Sequence, residues 1–174
     1  NCPYNIATDG SNLYVADNGN HTIRKISVLV MGGAVQGGDL NLTPVYASVT
    51  TLAGAASSYG ATDGTGAAAR FYHPYGLTTD GTNLYVAEYS NHTIRQIVIA
   101  TGAVTTLAGA AGSLGAADGT GSAAGFNAPF GITTDGTNLY VADTYNHTIR
   151  RIVIATGAVT TLAGEAGSSG SADG

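Results

Sequence analysis

The sequence predicts an all-β chain of small antiparallel sheets repeated about a common axis, and three observations lead there. Nearly the same stretch occurs three times, as TDGSNLYVADNGNHTIRKI from Thr8, TDGTNLYVAEYSNHTIRQI from Thr79 and TDGTNLYVADTYNHTIRRI from Thr134. The last two copies lie 55 residues apart, Asp80 to Asp135, and share the identical tail IVIATGAVTTLAG at 97–109 and 152–164. A fixed period of this length is the signature of repeat architecture. Within each unit, short β-branched runs alternate with Gly and Asp turns, and no window offers a capped helical stripe.

The third copy shows the elements in order. Gly131 to Thr134 is a small apolar run, followed by the tight-turn pair Asp135-Gly136. Leu139 to Ala142 form a second strand, closed by the polar loop 143–146. Thr148, Ile149, Ile152 and Ile154 mark a third strand, with Arg150 and Arg151 between them, and Thr156-Gly157 turns into a fourth, Val159 to Ala163. Four antiparallel strands repeated around an axis make a propeller blade. The chain therefore divides into blade 1 at 1–54, with an insertion near 28–48, a connector plus blade 2 at 55–109, a connector plus blade 3 at 110–164, and the start of another connector at 165–174.

The insertion follows from arithmetic: Asp9 to Asp80 is 71 residues, 16 over the period. It replaces the Thr-Gly turn between third and fourth strands and carries the apolar run Val28 to Met31. It reads either as a contact arm for a neighbouring protein or as an elongated hairpin packed on its own blade. The connectors are rich in Gly, Ala and Ser, yet Asp63 with Phe71 and Asp118 with Phe126 recur at fixed places. That recurrence predicts ordered loops whose aromatic residue plugs between blades. Asp-Gly-Thr-Gly lacks the further carboxylates of a calcium loop and reads as a turn.

Composition excludes several partners. Six scattered cations and a formal charge of −5 give no electrostatic footprint for nucleic acid. No apolar run is long enough to span a bilayer as a helix. The single cysteine, Cys2, reads as a buried small hydrophobe or a free thiol near the first strand. A start at Asn1 instead of Met reads as a processed or excised chain. There is no Gly-x-Ser-x-Gly elbow, no phosphate-binding Gly-x-x-x-x-Gly-Lys loop and no His-Glu-x-x-His helix. No cofactor and no metal site are expected.

Strand alternation places the loop after strand two and the connector after strand four on one face. That face gathers Asp17, Asn18, His21, Glu88, Tyr89, His92, Asp143, Tyr145 and His147, with Arg70 and His73 from a connector, and is the expected binding face. Copies differ most here, at Asn18-Gly19, Tyr89-Ser90 and Thr144-Tyr145. His21, His92 and His147 recur identically, as a structural hydrogen bond within the repeat demands. Asp17, Glu88 and Asp143 are candidates to accept backbone hydrogen bonds, and Arg24, Arg95 and Arg150 to pair with them or stay solvated. Asn20, Asn91, Asn146 and Asn41 each begin a glycosylation pattern, discounted because three belong to the repeated word itself.

The words Pro-x-Gly (Pro74, Gly76; Pro129, Gly131), Asp-Gly, Leu-Tyr-Val-Ala-Asp and Asn-His-x-Ile-Arg resemble the NHL repeat, over nearly the whole chain. Thr22, Thr93 and Thr148 stand where the signature has Leu, and Asn5 stands where the other copies have Gly. The resemblance implies a β-propeller of NHL type. Its three four-stranded blades would make half of a six-bladed ring, completed by a second copy, or a segment of a longer tandem array, or a crescent stacking into a fibre. Near-identical blades, which present repeated contacts, suit a noncatalytic scaffold for protein or glycan partners or for self-assembly. Low Lys content with abundant Thr, Ser, Gly and Ala, together with family habit, fits an extracellular or periplasmic protein of the bacterial surface kind. Some NHL-type propellers are metal-dependent lyases or hydrolases with a site in the channel. That is the alternative reading, although the repeats do not supply the residues that distinguish such enzymes.

Overall fold

The computed structural model describes residues 2–29 and 46–170. Met31, the Asn41-Leu42-Thr43 pattern, most of the insertion near 28–48 and the Asp173-Gly174 end lie outside the described residues.

Each unit folds as an antiparallel meander. Blade 1 comprises β1 (Pro3–Thr8), β2 (Asn12–Asp17), β3 (Thr22–Leu29) and β4 (Tyr46–Ala53), paired in sequence order. After β5 (Gly64–Thr65), blade 2 comprises β6 (Pro74–Thr79), β7 (Asn83–Glu88), β8 (Thr93–Val98) and β9 (Ala103–Ala108). After β10 (Gly119–Thr120), blade 3 comprises β11 (Pro129–Thr134), β12 (Asn138–Asp143), β13 (Thr148–Val153) and β14 (Ala158–Ala163). The helical content of the described residues is four short 3-10 turns, two of them (18–20 and 144–146) between second and third strands. The fold is thus the all-β, blade-like arrangement expected from the repeats.

The connectors add something the sequence pattern does not announce. β5 pairs with β9 and β10 with β14, so each connector puts a two-residue fifth strand on the outer edge of the blade that follows it. A Gly-Thr pair has no alternation to read, and its pairing is set by the blade edge it meets. In blade 1, β3 and β4 are eight residues each, against six in blades 2 and 3, and their ladder runs on to Leu29 opposite Tyr46. The insertion therefore begins as an elongation of its own hairpin.

The repeated words have local causes. In every copy the turn aspartate accepts backbone N–H bonds from the residues two and three ahead, and the Tyr hydroxyl five ahead donates to it at 2.7–2.8 Å. Burial pushes the Asp80 carboxyl up, but the bonds from Asn83, Tyr85 and Thr82 outweigh it and hold its pKa low. The tyrosine pays in return: burial and the Asp9 bond push Tyr14 up to about 12.

The cores lie between blades. Tyr14, Ala16, Ile23 and Ala53 of blade 1 meet Leu77, Leu84, Val86, Ile97 and Val104 of blade 2, around the connector's Phe71. The second junction repeats this, with Tyr85, Ala87, Ile94 and Ala108 against Leu139, Val141, Ile152 and Val159 around Phe126. Both phenylalanines are fully buried, each worth about 1.5–3 kcal/mol of burial. First strands of successive blades also approach closely. A Cβ on Gly76 would collide with the Phe130 carbonyl, which is why residue 76 holds no side chain. Gly109, at φ +89°, turns where a Cβ would press on the His92 carbonyl and the Phe126 ring.

Candidate functional site

The expected face divides into two kinds of residue. Glu88 and Asp143, at the ends of β7 and β12, are fully buried. Glu88 accepts from the Tyr72 N–H (2.8 Å), Asn91 (2.9 Å), Thr93 (2.9 Å) and Arg95 (2.8 Å). Asp143 accepts from the Asn127 N–H (2.7 Å), Asn146 (2.7 Å) and Arg150 (3.0 Å). Burial pushes the Glu88 carboxyl up, against the pull of Arg95 and the hydrogen bonds.

In blades 2 and 3 the arginines of the Asn-His-x-Ile-Arg word, Arg95 and Arg150, complete these networks and are themselves fully buried. Arg95 bonds Glu88, Asp63 (2.7 Å) and the carbonyls of Arg70 and Thr62, and its guanidinium lies 5.3 Å over the Phe71 ring. Arg150 does the same with Asp143, Asp118 (2.9 Å), the carbonyls of Gly125 and Ala117, and Phe126 at 5.2 Å. Asp63 and Asp118 of the Asp-Gly-Thr-Gly turns are thus spent on an arginine. Asn91 and Asn146, buried, donate to the connector carbonyls of Gly60 and Gly115 at 2.7 Å, which withdraws both amides from glycosylation. These groups hold connector to blade, and their recurrence is architectural.

In blade 1, Asp17 is half-buried and accepts from Asn20 at 2.8 Å, while buried Asn18 donates to the Pro74 carbonyl at 3.3 Å. His21 and His92 are half-buried, and the Nδ1 of each accepts an N–H from the next blade's lead-in, His73 at 3.4 Å and Ala128 at 3.0 Å. His147 is exposed and sits in a cleft with Gly164 and Ser168.

The remaining two residues belong to an accessible aromatic cluster. Tyr89 and Tyr145 pack edge to face at 5.9 Å with their hydroxyls 2.7 Å apart. Tyr75 lies 5.3 Å from Tyr89, 4.4 Å from Tyr4 and 4.5 Å from Phe130. Tyr4, Phe130 and Tyr145 are 55%, 41% and 58% exposed. Sequence reasoning names Tyr89 and Tyr145 but misses the other three. Their signal is the aromatic that follows each blade-opening proline, Pro3, Pro74 and Pro129, which brings one ring per first strand to the axis. A second cluster, also missed apart from its histidines, occurs at one junction alone among the described residues. Tyr59 stacks on Tyr72 and Tyr72 on His73, each at 4.7 Å, with His21 beside them. Leu114, Asn127 and Ala128 hold the matching positions of the other junction.

No protein-family model matches the chain. NHL repeat-containing protein 2 of Bos taurus is 35% identical over 160 residues, 87% of this chain and 20% of that protein. The Homo sapiens protein of the same name is 34% identical over 157 residues, 86% of this chain and 20% of its own. The chain thus spans about a fifth of the length of the curated relatives it matches. Among solved structures, an auxiliary nutrient binding protein from Bacteroides thetaiotaomicron superposes with a TM-score of 0.68 at 22% identity, over 90% of this chain and 36% of that one. Repeated words, blade-like sheets and relatives agree, and the chain belongs to the NHL-repeat family of β-propeller proteins.

Proposed function

We propose that the chain is a noncatalytic propeller scaffold that binds a protein or glycan partner on its loop face, in an extracellular or periplasmic setting. The observation that carries this reading is the cluster of Tyr4, Tyr75, Tyr89, Phe130 and Tyr145 at the mouth of the first strands. Tyrosine offers a broad apolar face with a hydroxyl at its rim, the combination that stacks on sugar rings and anchors protein interfaces. In blades 2 and 3 the repeated carboxylate, asparagine and arginine are buried in framework networks, which leaves recognition to the accessible rings. The solved likeness described as a nutrient binding protein is consistent with a ligand-holding role.

The test is a thermal-shift and NMR titration with a panel of soluble oligosaccharides, and a pull-down from the surface proteome, using the chain and its Tyr89→Ala/Tyr145→Ala variant. Ligands found with the parent chain and lost by a variant of unchanged melting temperature support the reading. Ligands that bind both alike refute the loop-face assignment.

Assembly is supported by a different observation. On the outer flank of blade 3, Ile149 and Leu162 are 40% and 55% exposed, and a cleft lined by Ala142, Ile149 and Ala163 runs along it. Blade 2 fills the matching groove with the next blade, so another NHL blade, from further copies or from a longer chain, is the cover this flank fits. The metal-dependent lyase or hydrolase reading gains no such support: among the described residues no three His, Cys, Asp or Glu side chains gather to hold an ion. A melting temperature raised by zinc or calcium would reinstate it.

A further inference from the structure

We infer that the histidine of the repeated word is a proton-sensitive clasp between consecutive blades, closed while its Nδ1 is unprotonated and released when that nitrogen takes a proton. At both junctions the same construction occurs. His21 and His92 sit in the left-handed region, at φ 58° and 59°, where a non-glycine residue is strained. That turn aims the ring across the junction at a backbone N–H of the following blade, and the donors, His73 and Ala128, are left-handed as well, at φ 51° and 54°. Two residues held in an unfavourable conformation and joined by one hydrogen bond make a joint that depends on that bond.

The chemistry of the acceptor sets the sensitivity. A backbone N–H can only donate, so Nδ1 must offer its lone pair, which places the ring hydrogen of the neutral imidazole on Nε2. A proton at Nδ1 would set donor against donor and leave the half-buried amide without its acceptor. The surroundings also bear on that proton. His21 faces the His73 ring at 5.3 Å, with Tyr59 and Tyr72 beside it, and burial together with His73 holds its pKa below 6.5. His92 faces Asp143 of the next blade, which favours the charged ring, but burial outweighs it and this pKa also lies below 6.5. The backbone N–H of His92 goes to the Glu88 carbonyl, which fixes the turn and leaves the ring free to respond. The Tyr72-His73 lead-in belongs to the stacked cluster with Tyr59. Acid therefore acts on the loop face through the joints beneath it. The inference stands whether or not that face binds a ligand.

The test uses the imidazole nitrogens directly. Long-range proton–nitrogen spectra of the unmodified chain, recorded from about pH 8 to about pH 5, should show His21 and His92 as Nε2–H tautomers that protonate in mild acid. Over the same range the protection of the His73 and Ala128 amides against exchange should fall about fivefold or more, the equivalent of one hydrogen bond. In a His21→Asn/His92→Asn variant, asparagine tolerates the left-handed turn and presents a non-titrating oxygen near the site of Nδ1, so the protection should no longer depend on acid. An Nδ1–H tautomer at neutral pH overturns the inference, as does the same acid dependence in both chains. If the variant fails to fold, the tautomer and the amide protection of the unmodified chain still decide.

Discussion

Blades 2 and 3 carry almost the same residues in the same order, yet their outer faces live in different worlds. Ile94 is fully buried and Ile149 is 40% exposed, and Tyr85 is buried while Tyr140 reaches water. Blade 1 differs at the other end: Leu77 and Val104 of blade 2 are 3% and 2% exposed, but their counterparts Ile6 and Val49 are 62% and 52% exposed. The difference teaches that a blade does not own a core. Each sheet contributes half of one, and the neighbour and its connector supply the remainder.

Substitutions at matched positions can break or sharpen that contrast. The largest effect is expected at Arg95→Met, which leaves Glu88 buried without its cation: a loss of about 3–5 kcal/mol in urea unfolding. Arg24→Met, at a half-exposed side chain bonded to Thr51 at 3.0 Å, should cost under about 1 kcal/mol. Equal costs would sink the idea that the arginine acts through its connector. Next, Ile94→Ala should destabilise by about 2–4 kcal/mol and Ile149→Ala by less than about 1 kcal/mol. A chain in which Ile149→Ala costs as much as Ile94→Ala has its outer flank covered in solution.

Acid should separate two classes of group. The Asp80 pKa is held below its ordinary 3.8, so the stability it lends is present above that value and lost as pH falls through the folded value. Asp80→Asn should therefore flatten the steep acid limb below about pH 4. His92 has its folded pKa below 6.5, so the unfolded chain takes up the proton first. Stability is complete above 6.5 and falls with pH beneath it. Replacing His92 by Asn should remove that shallower slope while leaving the aspartate limb in place, as melting curves across the range would record. Smallest of all, Tyr145→Phe removes one exposed hydroxyl from the pair with Tyr89 and should shift the melting temperature hardly at all.

The repeat period, the hairpin turns and the four principal strands of each blade were legible because they are written locally. Asp-Gly, Thr-Gly and the Leu-Tyr-Val-Ala run dictate turn and strand within a few residues of themselves. The plugging role of Phe71 and Phe126 was legible too, through their fixed distance from Asp63 and Asp118. The edge strands β5 and β10 were not, since two residues make no pattern and their partner lies some forty residues downstream. For the face itself, alternation places Tyr89 and Tyr145 near the connectors, but only the meeting of first strands at the axis brings Tyr4, Tyr75 and Phe130 to them. Glu88 and Asp143 show the converse problem. A carboxylate on a loop face and one sunk beneath it read alike until its donors are seen, and those donors come from a connector 16 residues earlier as well as from an arginine seven residues on.

The placement of the connectors bears on how such chains lengthen. The Gly64–Thr65 strand bonds to the blade after it, while Phe71, a few residues on, seats against the blade before it as well. One stretch from a connector to the end of its blade thus carries both halves of its own joint. Duplicating that stretch inserts a module whose fittings already match those on either side, and the array grows without inventing a new surface.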